Sequence, residues 1–387
     1  MDCTRRSKLA ALLAGVALAL PALPAAADEE GLVIGHAAAV TGLLAPYDGP
    51  DGVACRVAQI NDAGGILGKP VTLMTRDTKS DPVTAANIAQ ELVDAGADVL
   101  FGPPTDDGLI PMAGLALAQG IPVLSVGSTQ PAFPQASPDN GYLVPYGDNA
   151  SAAAAAELAY AAGYRKAALM IAHDVGAYSL VTPEYFAQAF EKLGGQVVGR
   201  VSYHHGLADY TPQVTEISNM ADKPDVIFGA ILVPDAGVFL RTLASSDVNI
   251  PVYGTDGFDD PSLIPVSGAG GKLATFITHG FPAEGSALKA FYDDCAARGF
   301  NVQNVFFGLG GEAVDVVKTA VEAAGSFEPA AINAAIREIE GMKGIVSDSV
   351  TYKGQAGTPL KQMVALQIKD GAFVEVARPT PAWVPAP

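Results

Sequence analysis

KPVTLMTRDTKSDPVTAANIAQELVDAGADVLF, residues 69–101, reads as a strand, a helix and a second strand in succession. Residues 69–77 alternate polar and apolar around Val71 and Leu73, the period of a half-buried strand. Asp81-Pro82 pairs a capping residue with a proline at the first helical position, where its missing N–H costs nothing. Ile88, Leu92 and Val93 then form one stripe down to Gly96, and Val99-Leu100-Phe101 is a continuous apolar run. A helix between two strands is the crossover that parallel pairing requires, so this unit predicts an α/β fold.

The same alternation extends outward. Leu32-Val33-Ile34-Gly35 reads as a buried strand, and a helix from about Asp51 closes at Gly64-Gly65, which are suited to left-handed caps. Val123-Leu124-Ser125 is the next strand. A second series begins near Asn149, with helices expected over 151–162, 183–193, from Pro212, and 234–244. Its strands are expected over 167–172, 197–203, 225–228 and 250–253. Late helices follow at about 285–298, 305–324 and 329–339. Lys369-Asp370-Gly371 marks a hairpin turn, and 377–387 is a Pro-rich extended tail. The two series duplicate an architecture without duplicating a sequence. They predict two lobes, each with its own core, with ligands bound outside the carboxyl ends of the strands.

Composition narrows the function. The chain has 387 residues, 49% hydrophobic and 17% charged, which is globular rather than disordered. Its net charge of -18 lacks the basic stripe that nucleic acid requires and disfavours anionic membranes. Arg5, Arg6 and Lys8 precede the apolar run 9–20, and Ala25-Ala26-Ala27 supplies small residues before Asp28. This reads as a signal peptide over 1–27 and predicts export to the periplasm. Of the cysteines beyond it, Cys55 and Cys295 both fall in helix-like stretches and read as buried thiols rather than a bridge, although spacing alone does not decide the pairing.

Specific residues carry a resemblance. Gly35, Thr41-Gly42 and Tyr47, then residues 60–68 (INDAGGILG), Asp77, Asp81-Pro82 and Gly102-Pro103 occur in an order matched further on by residues 123–129, 174–178, Ala208-Asp209-Tyr210, Pro224-Asp225-Val226, Gly254-Thr255-Asp256-Gly257 and Ala323-Ala324-Gly325-Ser326. In this the chain resembles the leucine/isoleucine/valine-type solute-binding proteins of ABC transporters, over nearly all of 31–376. The resemblance implies two Rossmann-like lobes, the type I periplasmic binding fold, joined by three crossovers near Tyr146, Thr278 and Ser347. Lobe 1 would comprise 28–145 with 279–346, and lobe 2 would comprise 146–278 with 347–376. It also implies a monomer that binds a small molecule, closes, and docks on an ABC permease of the inner membrane, with no catalysis, cofactor or metal. The alternative is a ligand-sensing module that signals to a partner receptor or regulator.

The same resemblance implies site residues. Ser128 and Thr129 would face a ligand carboxylate, Tyr178 the ligand from lobe 2, and Asp256 a ligand ammonium; Tyr47, Gly127 and Phe281 complete the set. Two departures bear on the ligand. Where the family has Gly-Pro-x-x-Ser, this chain has Gly102-Pro103-Pro104-Thr105-Asp106-Asp107, so an acid replaces a hydroxyl and Thr105 is left as its substitute. Asp106 either faces the ligand or caps the following helix. A lobe-2 tyrosine is also replaced within Ile231-Leu232-Val233. The ligand is therefore expected among branched-chain amino acid-like, amide, aromatic or cationic solutes. Competing motifs fail: His204-His205 lacks metal-ligand spacing, Gly268-Ala269-Gly270-Gly271-Lys272 is followed by Leu273 rather than Ser or Thr, and no G-x-S-x-G elbow is present.

Overall fold

The computed structural model describes residues 31–387, together with Met1; the leader expected over 1–27 otherwise lies outside the described residues. The first series runs β1 (Leu32–Ala38), α1 (Pro50–Asp62), β2 (Val71–Asp77), α2 (Pro82–Asp94), β3 (Val99–Gly102), α3 (Asp106–Leu117), β4 (Val123–Ser125), α4 (Ala132–Ala136) and β5 (Gly141–Leu143). Its sheet is parallel throughout, in the order β2-β1-β3-β4-β5. The second series runs α5 (Asp148–Ala161), β6 (Lys166–Ala172), α6 (Gly176–Lys192), β7 (Gln196–Tyr203), α7 (Thr211–Asn219), β8 (Val226–Gly229), α8 (Asp235–Ser245), β9 (Val252–Gly254), α9 (Leu263–Ser267) and β10 (Ala274–Thr278). Its parallel strands stand in the order β7-β6-β8-β9-β10, the same winding as in the first sheet. The expected duplication of architecture is thus present strand for strand.

The chain then returns to the first lobe through α10 (Ala287–Ala297), α11 (Val305–Ala324) and α12 (Pro329–Ile336). A short ribbon, β11 (Val350–Thr351) with β12 (Leu360–Lys361), precedes β13 (Val364–Lys369) and β14 (Ala372–Ala377), which extend the second sheet, β13 antiparallel to β10 and β14 antiparallel to β13. The β13–β14 turn places Asp370 at φ 51° and Gly371 at φ 75°, the two left-handed residues that a tight hairpin favours. Gly64 and Gly65 are likewise left-handed after α1. Asp81 caps α2 by accepting the Thr84 amide at 2.6 Å.

Three expectations need correcting. The helix expected from Pro183 begins at Gly176, with Pro183 in its interior. Ser179 and Thr182 are buried, so packing against the sheet holds two turns that the proline seemed to forbid. Strands β5 and β10 were not anticipated; β5 has three residues, too few to show a period. Finally, Cys55 and Cys295 are bonded to each other rather than lying as free thiols, joining α1 to α10 among Phe291 and Phe307. Their proximity depends on the chain returning to lobe 1 after the whole of lobe 2, which no local pattern reports. The tail beyond Ala377 lies on the second lobe: Asn149 donates to the Pro385 carbonyl at 2.9 Å, and the Lys192 ammonium sits 4.5 Å from the Trp383 ring centre.

Candidate functional site

The carboxyl ends of β1, β3 and β4 in one lobe face those of β6, β8 and β9 in the other. The loops leaving these strands line a cavity of about 170 Å³. Eight of the nine sequence-derived candidates line it: Tyr47, Thr105, Asp106, Gly127, Ser128, Thr129, Tyr178 and Asp256. Phe281 does not. It lies beyond β10 in a separate hollow with His279 and Arg378, because the chain has already turned away from the cleft there. The aromatic wall comes instead from Phe306, at the start of α11 and packed edge-on to Tyr47 with ring centres 5.5 Å apart. Phe306 escaped the sequence reading because it reaches the cleft from a helix that carries no motif. Leu232 occupies the stretch where the expected tyrosine is missing and presents an apolar surface.

Tyr47 crosses the cleft. Its hydroxyl donates to the Gly257 carbonyl at 2.9 Å and accepts the Val233 amide at 2.7 Å, both on the second lobe. Tyr178 accepts the Gly257 amide at 2.7 Å and lies 2.7 Å from the Thr255 hydroxyl. The two tyrosines therefore grip the same short turn, with burial holding both phenols well above their ordinary pKa. Gly257 has no room for a side chain: a Cβ there would stand 2.5 Å from the Tyr178 hydroxyl oxygen and 2.8 Å from the Ile231 carbonyl oxygen.

Acids dominate the polar part of the site. Asp106 is the first residue of α3 rather than its cap, which is Thr105, and its carboxylate accepts the Ser128 hydroxyl at 2.7 Å. Burial raises its pKa to about 6, with the Ser128 bond opposing and Asp107 adding to the rise. Behind Ser128, Asp148 accepts from Thr129 at 2.9 Å and from Gln130 at 2.5 Å. Burial and the nearby Asp256 charge hold Asp148 well above the usual carboxylate range. Asp256, 2% exposed, pairs one oxygen with His279 Nε2 at 2.9 Å; its Oδ1 has no hydrogen-bond partner among the described residues. Burial pushes the His279 pKa down, and the imidazole lies against the Tyr146 ring with centres 4.1 Å apart. Asp148 and His279 are positioned where the chain crosses between lobes, so their place beneath the site emerges only from the fold.

Residues 31–372 match the family described as periplasmic binding protein. The chain belongs to that family. Members of this family bind solutes rather than transform them, and its two-lobed fold is the one seen here. Among curated relatives, a Leu/Ile/Val-binding protein of Rhizobium johnstonii is 27% identical over 346 residues, covering 86% of this chain and 92% of that protein. A leucine-, isoleucine-, valine-, threonine- and alanine-binding protein of Pseudomonas aeruginosa is 24% identical, covering 85% and 88%. Among solved structures, a leucine-binding protein from Thermotoga maritima superposes with a TM-score of 0.80 at 24% identity, covering 91% of this chain and 99% of that one. An ABC-transporter solute-binding protein from Rhodopseudomonas palustris in complex with p-hydroxybenzoic acid gives 0.80 at 19%, covering 90% and 97%. No helix among the described residues is long and apolar enough to cross a membrane.

Proposed function

We propose that this protein is a periplasmic solute-binding component of an ABC importer. A small organic ligand enters between the lobes, the lobes close about three crossovers, and the closed form docks on a permease of the inner membrane. The observation that carries this reading is the cavity between the lobes, walled from both and bridged by the Tyr47 hydroxyl. Its volume suits the solutes in the relatives' names, each a compact apolar body with one small charged end.

A thermal-shift panel identifies a ligand, because a hundredfold excess over the dissociation constant stabilises the protein by about 2.7 kcal/mol. Solution X-ray scattering with that ligand should then show a smaller radius of gyration than without it. Confirmed binding with an unchanged radius counts against closure. Ligand uptake by proteoliposomes holding the permease, dependent on added binding protein, tests the transport step.

A further inference from the structure

We propose that the cleft selects a protonated amine on a compact apolar body, in preference to an amino acid or a carboxylic acid. This deepens the solute-binding reading and rests on it. The first observation is where the hydroxyl hydrogens point. Ser128 and Thr129, the side chains expected to meet a ligand carboxylate, donate to Asp106 and Asp148 instead. Tyr47 donates to the Gly257 carbonyl, and the Gln130 amide is engaged by Asp148 and Thr182. A ligand anion arriving at this wall meets these acceptors, with the Thr105 hydroxyl, which makes no capping hydrogen bond, as a side-chain donor left beside them.

The second observation is independent of the first. Asp256 is almost completely buried, lines the cavity, and keeps Oδ1 without a partner. A buried carboxylate oxygen in that state calls for a donor, and an ammonium N–H supplies both the hydrogen bond and the opposite charge. Third, among the described residues no Lys, Arg or His lines the cavity, whereas Asp106, Asp107 and Asp256 do. His279, behind Asp256, is held toward its neutral form by burial and offers no countercharge. Tyr47, Tyr178, Phe306 and Leu232 provide the apolar and aromatic surface for the remainder of the ligand.

A zwitterion would bring its own ammonium to Asp256 but also a carboxylate into an acidic cleft, and the first turn of α6, Gly176 to Tyr178, is the edge best suited to receive it. Matched trios therefore decide the question: isoamylamine, leucine and 4-methylvalerate; phenethylamine, phenylalanine and 3-phenylpropionate. Titration calorimetry on the full chain at pH 7.5 should rank the amine tightest in at least one trio, by tenfold or more. Trimethylating the amine should weaken binding, because no N–H then remains for Oδ1. Asp256→Asn should lower amine affinity at least tenfold, and Asp106→Asn serves the same purpose if the first variant fails to fold. An amino acid or acid binding as tightly as its matched amine overturns the cation preference and leaves solute binding standing. If no member of either trio, nor benzoate, nor any solute of the wider thermal-shift panel binds, both readings fall.

Discussion

Tyr47 follows the first strand of one lobe yet makes both of its hydroxyl hydrogen bonds to backbone groups of the other. Replacing it with phenylalanine keeps the contact with Phe306 and leaves the Val233 amide and Gly257 carbonyl without that oxygen. Each buried group so orphaned costs about 1–3 kcal/mol, and under the proposed hinge closure that cost falls on the closed form alone. Tyr47→Phe should weaken ligand binding at least tenfold while thermal stability changes little, a split that calorimetry and melting curves resolve; unaltered affinity would mean that the hydroxyl does not latch the lobes. Asp259 shows the other residue-scale effect. Burial raises its carboxyl to about 7, opposed by the Thr278 hydroxyl and reinforced by Asp256 and Asp260, with Tyr146 and Tyr292 also within its field. A folded-state pKa above the unfolded value of about 3.9 means that the native state binds the proton more tightly. The stabilisation is complete below about pH 4 and is lost as pH rises toward 7. Asp106, at about 6 and facing Asp107, Ser128, Asp148 and Tyr185, acts in the same direction. Urea unfolding of Asp259→Asn should therefore show a shallower fall in stability between pH 5 and pH 8 than the parent protein. Parallel profiles would refute the assignment.

At the scale of elements, α1 and α11 touch backbone to backbone. A Cβ on Gly52 would lie 1.9 Å from the Phe307 carbonyl oxygen, and one on Gly310 would lie 2.2 Å from the Gly49 carbonyl oxygen. Glycine within a helix costs roughly 1 kcal/mol relative to alanine, so its presence in the middle of α11 is explained by this approach rather than by helix propensity. Gly310→Ala should destabilise by about 1–3 kcal/mol, because the backbone must move to admit one methyl group. Gly114→Ala, in α3 with nothing within 4 Å of the new atom, should instead stabilise by several tenths of a kcal/mol up to about 1. The same chemical change with opposite signs in two helices is read directly from denaturation midpoints. Agreement in sign would show that the helix contact yields more easily than the geometry allows.

At the scale of the molecule, the passages between lobes are tied by one buried ion pair. Lys361, just before β13, meets Glu312 of α11, with both side chains inaccessible to solvent. The Lys361 ammonium also donates to the Val144 carbonyl at 2.9 Å, where the chain first leaves lobe 1. Glu312 accepts the Val346 amide at 2.8 Å and the Ser347 amide at 3.3 Å. Removing one partner leaves a charge buried without its counterion, a loss of about 3–5 kcal/mol, whereas an apolar pair of similar volume is often tolerated. Lys361→Met should therefore be strongly destabilising, and adding Glu312→Leu should restore much of the loss. A double variant as unstable as the single one would assign the effect to the lost backbone hydrogen bonds instead.

Local chemistry settled a great deal. Residues 69–101 declare a βαβ unit because period, cap and glycine stop all act within a few residues, and Val305–Ala324 is a helix at the bounds its apolar pattern predicts. Repetition of that pattern was enough to imply two lobes, and motif order was enough to bring eight candidate residues to one cavity. What depends on distant segments was not legible. The Cys55–Cys295 bond, the reach of Phe306 into the cleft, the departure of Phe281 from it, and the burial of Asp148 beneath Thr129 all follow from how the chain crosses between lobes. The sequence showed an acid where a hydroxyl was expected. Only the tertiary structure turned the Ser128 hydroxyl toward that acid and left Asp256 Oδ1 without a donor, because hydrogen-bond direction is decided by neighbours in space rather than along the chain.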